Sequence, residues 1–146
     1  MPHRKRSSSF PSTLRGKPAQ VWVEKTVEGI RLNAKTDECD PSRTTLDALD
    51  DVVLLADDAG RYIDANEAFC AVTGYTLNEV LGLSVKQITA PDSSVDAGAI
   101  WLKFLGKGAM AGRYPLKLKD GSVRVFAYQA FTNALPGAHI SLLRPL

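Results

Sequence analysis

The sequence predicts an α+β domain: one five-stranded antiparallel sheet with helices covering one of its faces. Three observations carry this. Two strand-like runs come first, four helical signals follow, and three more strand-like runs close the chain, in the order β-β-α-α-α-α-β-β-β. The strands are joined by short turns, and no βαβ unit recurs, so they pair as hairpins and not through crossovers. The helices lie between the two strand groups and must share a face of the sheet they cover.

Bulk properties bound this reading. At 146 residues and 45% hydrophobic content the chain supports one domain with a tail. No run approaches the roughly 18 apolar residues of a membrane span, and no secretory apolar segment opens the chain. Cys39 and Cys70 are too few for a disulfide framework and have no metal-ligand spacing, which suits a reducing cytoplasm. The net charge is +2, but residues 1–20 carry Arg4, Lys5, Arg6, Arg15 and Lys17 with no acid, leaving the remainder at −3.

Residues 1–18 are rich in Ser, Pro and Arg without hydrophobic periodicity, and read as a disordered basic tail. Arg4, Lys5 and Arg6 are a candidate contact for nucleic acid or a partner, although a solvated tail is the plainer reading. Residues 19–43 read as an N-terminal helix (or hairpin) and a linker. As a helix, Val23, Val27, Ile30 and Ala34 form one stripe. As a hairpin, VWVEK and IRLNA pair around Glu28 and Gly29. The stripe holds for three turns and follows Pro18, which favours the helix. Thr36 to Ser42 is polar and contains Pro41, as linkers do.

Residues 44–146 form the main domain. Thr44 or Thr45 caps a short helix at 46–50. Val52–Ala56 is apolar and too short for a helix core, so it reads as a strand. Asp57, Asp58, Ala59 and Gly60 supply a turn into a second strand at 61–65. Asn66 caps a helix that Gly74 ends. Thr76 and Glu79 have capping-box spacing for one helical turn ending at Gly82. Another short turn, 83–89, points Val85 and Ile88 inward. A capping signal at 93–96 starts the longest helix, to about Leu105, with Ala97, Ile100, Trp101 and Phe104 or Leu105 on its bulky face. Strands follow at 109–119, 123–132 and 138–144, the first two joined by the hairpin signal Asp120-Gly121.

Period-2 alternation then sorts the faces. Val52, Leu54, Ala56, Tyr114, Leu116, Leu118, Phe126, Tyr128, Ala130, Ser141 and Leu143 point toward the helices, where Val85, Ile88 and Trp101 meet them. Those residues line either an ordinary packed core or an apolar pocket, with Tyr114, Tyr128 and Ser141 as its polar groups. Val123, Val125, Ala127 and Phe131 point the other way and form a candidate dimer face. No Ser/His/Asp set, metal spacing, phosphate loop or paired carboxylates in a cleft supports catalysis, so no catalytic or metal residue is assigned and the chain reads as a non-enzyme. His139 reads as a satisfied edge residue, Cys70 as a small buried apolar group.

Several motifs in order resemble the PAS domain family of sensory modules. They are D-x-x-G-R-Y-I-D-A-N-E-A-F at 57–69, T-G-Y at 73–75, E-V-L-G at 79–82 and K-D-G-S at 119–122, within a region of about 46–143. The resemblance implies a twisted antiparallel sheet whose concave face and helices enclose a small cavity, and an exposed ion bridge between Glu79 and Lys119. It implies a stand-alone cytoplasmic signalling module that binds a small ligand or mediates a regulatory protein contact. The partner is a homodimer mate or a signalling protein. The alternative is a ligand-free dimerisation domain whose basic tail touches nucleic acid or a partner. The cofactor is left unknown. In flavin-binding members a Cys forms the photoadduct where this sequence has Val85, which argues against a flavin photoadduct. Haem-binding members use a His on the helix at 93–107, and none is present there.

Overall fold

A computed structural model describes residues 9–27, 29–37, 43–90 and 96–145. It contains two sheets. The N-terminal one is built from β1 (Phe10–Leu14), β2 (Lys17–Thr26) and β3 (Gly29–Thr36), antiparallel in that order. After α1 (Arg43–Asp47) come β4 (Val52–Ala56), β5 (Tyr62–Ala65), α2 (Glu67–Thr73), α3 (Leu77–Val80), α4 (Val85–Ile88) and α5 (Ala97–Lys107). Strands β6 (Ala109–Lys117), β7 (Val123–Leu135) and β8 (Ala138–Pro145) complete a five-stranded antiparallel sheet of order β5-β4-β8-β7-β6.

The predicted caps set the helix boundaries. Asn66 lies at the N-cap of α2 and Gly74 ends that helix at φ +86°, a left-handed conformation that costs glycine little. Thr76 and Glu79 bond each other's backbone N–H in the capping box of α3. Asp96 caps α5 by accepting from the Ala99 N–H. Residues 93–95 of the predicted capping signal lie outside the described residues. Glu79 and Lys119 pair at 2.8 Å on the surface.

The helix expected over 19–34 does not form; β2 and β3 occupy those residues instead. The helical stripe needed Val27 inside, but Val27 is fully exposed at the turn. Period 2 wins: Ala19, Val21 and Val23 on β2 and Leu32 and Ala34 on β3 are buried together. The β-branched residues around Trp22 suit that pleat. Of the segment read as a disordered tail, residues 10–14 form β1 and 17–18 open β2. The basic run Arg4-Lys5-Arg6 lies outside the described residues, as do 38–42 of the linker.

This second sheet covers the convex face of the first, where Val53, Leu55, Ile140 and Leu142 project. That is why β4 is buried along its whole length on both sides. Three carboxylates fasten the two sheets. Asp50 accepts from the backbone N–H groups of Arg15 and Gly16 at 3.1 and 3.0 Å. Asp51 accepts from Ser12 Oγ at 2.8 Å and from Arg144 Nε at 2.6 Å. Asp64 accepts from the Leu32 N–H at 3.0 Å. The helices cover the concave face.

Candidate functional site: an apolar cavity with three phenols

The space between the helices and the concave face is not filled. Pleat alternation brings Leu54 and Ala56 from β4, Ser141 and Leu143 from β8, Tyr128 from β7, and Tyr114 and Leu116 from β6 to one cavity of about 80 Å³. Val85 of α4 and Trp101 of α5 close it from the helix side. All nine were predicted to line it. Ile88 and Phe126, predicted with them, are fully buried in the surrounding core and do not reach the space.

The structure adds Tyr62, Ile100, Phe104 and Met110 to the lining, and Ala130, which the strand alternation places on this face, also lines it. Ile100 and Phe104 sit on the bulky face that the helix periodicity had marked. Tyr62 was missed, though a local signal existed: its neighbour Ile63 packs into the convex-side core, so the pleat turns Tyr62 to the concave side.

Trp101 is held by several contacts. Its Nε1 donates to the Asp58 carbonyl at 2.9 Å, and its ring meets Phe104 and His139 at centroid distances of 5.3 and 5.6 Å. His139 is buried on β8. Its Nδ1 accepts from the Asn133 N–H at 2.9 Å, so the neutral ring carries its proton on Nε2 and donates to Asp58 Oδ1 at 2.7 Å. Asp58 therefore links the β4–β5 turn to both α5 and β8. Val85 and Trp101 also line a surface groove with Lys86 and Gly98, so these two side chains separate the cavity from solvent on that side.

The polar chemistry of the cavity is phenolic. Thr89 Oγ1 donates its single proton to the Val85 carbonyl at 2.7 Å, so in its 2.7 Å contact with Tyr114 the phenol is the donor. The Tyr114 and Tyr128 rings meet edge to face at 6.0 Å. Burial pushes all three phenols up from their ordinary value, and Tyr114 adds to the rise at Tyr62. Tyr62, Tyr114 and Tyr128 are thus neutral at physiological pH. Among the described residues no acidic or basic side chain lines the cavity and no cluster of metal-ligating side chains occurs.

The four residues predicted as a dimer face do not stay together. Val123 and Val125 are exposed and Ala127 is half-buried. Phe131 is half-buried too, stacked on Phe10 of the N-terminal sheet at 4.8 Å. Among the described residues no helix is long and apolar enough to cross a membrane.

Comparison with known proteins agrees with this geometry. A family profile described as PAS domain matches residues 42–107. Over 99 residues, 68% of this chain, the sequence is 32% identical to sporulation kinase E of Bacillus subtilis (strain 168) and spans 13% of that protein's length. Among solved structures, a domain of a sensory box sensor histidine kinase/response regulator from Geobacter sulfurreducens superposes with a TM-score of 0.61 at 24% identity. That match covers 70% of this chain and 89% of the other. The PAS domain of a LuxR-family transcriptional regulator from Burkholderia thailandensis, solved in complex with ethanol, gives 0.61 at 16% identity, covering 74% and 98%. At such identities the structural likeness speaks to the fold. Profile, sequence relative and sheet order converge: from α1 onward this chain belongs to the PAS family of sensory signalling domains.

Proposed function

We propose that this PAS domain senses a small molecule held in the helix–sheet cavity and reports it through a protein contact, without catalysis of its own. The observation that carries this is an apolar cavity between helices and sheet, one of whose walls, Trp101, is tied to the Asp58 turn. A bound ligand that fills the space presses on Trp101. Through Asp58 and His139 that pressure reaches β8, the strand beside β4 in the sheet centre. Ligand affinity that differs between two positions of α5 is enough to bias them. The ethanol complex of the Burkholderia domain supports small-molecule occupancy, and the kinase relative supports a signalling output. The test is native mass spectrometry, absorbance and thermal unfolding of the purified protein across a panel of small metabolites. A co-purifying molecule or an upward shift in Tm is the expected result; neither, across the panel, sinks the reading.

A second reading is favoured by the exposed pair Val123 and Val125 on β7. Homodimer or partner contact through that strip makes the domain an interaction module. Sedimentation at micromolar concentration tests it: association that Val125→Glu abolishes supports it, and a monomer unchanged by that substitution removes it.

A further inference from the structure

We infer that the cavity selects an uncharged ligand that presents a hydrogen-bond acceptor to the Tyr62 and Tyr128 hydroxyls. This names the ligand class for the sensory reading above and rests on it. Tyr62 is only 7% exposed, yet its hydroxyl makes no hydrogen bond among the described residues. Side-chain polar atoms sealed from water in this structure all have partners. The Tyr62 hydroxyl therefore opens onto space, and the space that Tyr62 lines is the cavity. A phenol in an apolar enclosure gains from any acceptor that completes its bond.

The other polar groups set the same requirement. The proton of Tyr114 is committed to Thr89, as derived above, so that phenol offers lone pairs only. Tyr128 and Ser141 line the same cavity and make no side-chain hydrogen bond among the described residues, so their protons are uncommitted. Tyr62, Tyr128 and Ser141 thus contribute three uncommitted O–H donors to a lining whose hydroxyl oxygens also accept, and an acceptor on the ligand takes up those protons. Charge is excluded by the walls. Among the described residues of the lining, a carboxylate would lose its hydration with no cation to replace it, and an ammonium would find no carboxylate. A cavity of about 80 Å³, at about 10–15 Å³ for each water-sized site, holds roughly five to eight non-hydrogen atoms. Short ketones, ethers, alcohols and amides have that size and that acceptor.

The test uses the full chain and four probes of matched size, followed by NMR shifts of the Trp101 indole and the Leu54 and Ser141 amides. The probes are cyclopentanone, cyclopentane, cyclobutanecarboxylate and tetramethylammonium. Cyclopentanone is expected to bind most tightly, and Tyr62→Phe and Tyr128→Phe each to weaken it about 3- to 10-fold while leaving cyclopentane binding unchanged. Thermal unfolding checks that each variant is folded, and either variant alone suffices if the other is not. Equal or tighter binding of the carboxylate overturns the inference. So does tighter binding of tetramethylammonium, which would instead mark an aromatic cation cage. Cyclopentane binding as well as the ketone, or ketone binding unmoved by both substitutions, removes the ligand class but leaves the sensory reading standing. Failure of all four probes removes both.

Discussion

Asn66 joins more of this molecule than its role as a cap suggests. It is fully buried, and its side-chain oxygen accepts from the N–H groups of Val53 and Phe69 at 3.0 and 3.3 Å. Its amide nitrogen donates to the carbonyls of Leu46 and Asp51 at 3.1 and 2.9 Å. The cap bond to Phe69 is legible in sequence because it is local, three residues on; the other bonds depend on where β4 and α1 arrive, which no local pattern encodes. Asn66→Ala would remove these bonds from the Val53 N–H and the Asp51 carbonyl and leave the Leu46 carbonyl with the Leu49 N–H at 3.4 Å. The expected loss is about 3 kcal/mol, read by urea unfolding, and a loss no larger than that of an exposed cap would refute this network. Asp50 carries a different consequence. The N–H groups of Gly16 and then Arg15 hold its carboxyl below the ordinary value. A lowered folded value means that its contribution is present above the usual Asp range near pH 4 and is lost as pH falls through the lower folded value. The β1–β2 turn should therefore loosen in acid. The Gly16 amide resonance should titrate with a midpoint below about 4, and Asp50→Asn should remove that transition; a midpoint at or above the ordinary value contradicts the assignment.

At the scale of elements, α5 is the part poised between cavity and surface. Asp96 starts it, Gly108 stops it at φ +87°, and Trp101 anchors its middle to the Asp58 carbonyl. Trp101→Phe keeps the ring and removes that bond, with an expected cost of about 1 kcal/mol in chemical unfolding. The same variant should weaken the response of β8 amides to a bound probe more than it weakens probe binding. Equal losses in both would make Trp101 a wall and nothing more. The cavity lining was legible strand by strand, because inward and outward residues alternate with a period that needs only local sequence. Phe126 and Ile88 show where this stops. Whether an inward side chain reaches a cavity or the core beside it is set by sheet twist and by how far each helix stands off. The segment 19–34 shows a second limit. Its apolar residues satisfy periods of both 3.6 and 2 in part, and the deciding factor is distant in sequence: a flat apolar convex face, Val53, Leu55, Ile140 and Leu142, that a sheet covers better than one narrow helical stripe. The unbroken apolar run Val52–Ala56 was the available hint that both faces of β4 would be covered.

For the whole molecule, the N-terminal sheet decides which surfaces remain for association. Docked, it covers the central convex face and stacks on Phe131, and leaves Val123, Val125 and part of Ala127 open toward the β6 edge. A stable dimer of ordinary size covers about 800 Å² on each partner, far more than two valines provide, so any self-association through this strip is weak and concentration-dependent. Undocking the sheet would change that, because it uncovers the apolar face of Val53, Leu55, Ile140 and Leu142. Val21 and Val23 both lie fully buried between the sheets. Val21→Asp with Val23→Asp places two carboxylates there without partners, at a cost of several kcal/mol. The sheet is held to the PAS portion by that apolar layer and the carboxylate clamps, whereas the five-stranded sheet keeps its own core on the concave side. The double variant should therefore release the N-terminal sheet before the rest unfolds. The expected signature is loss of exchange protection in residues 19–26 with retention in β4 and β8, together with oligomers in sedimentation at micromolar concentration. Retained protection across 19–26, or a release that leaves the protein as monomeric as before, would show that the covered face is not an association surface held in reserve.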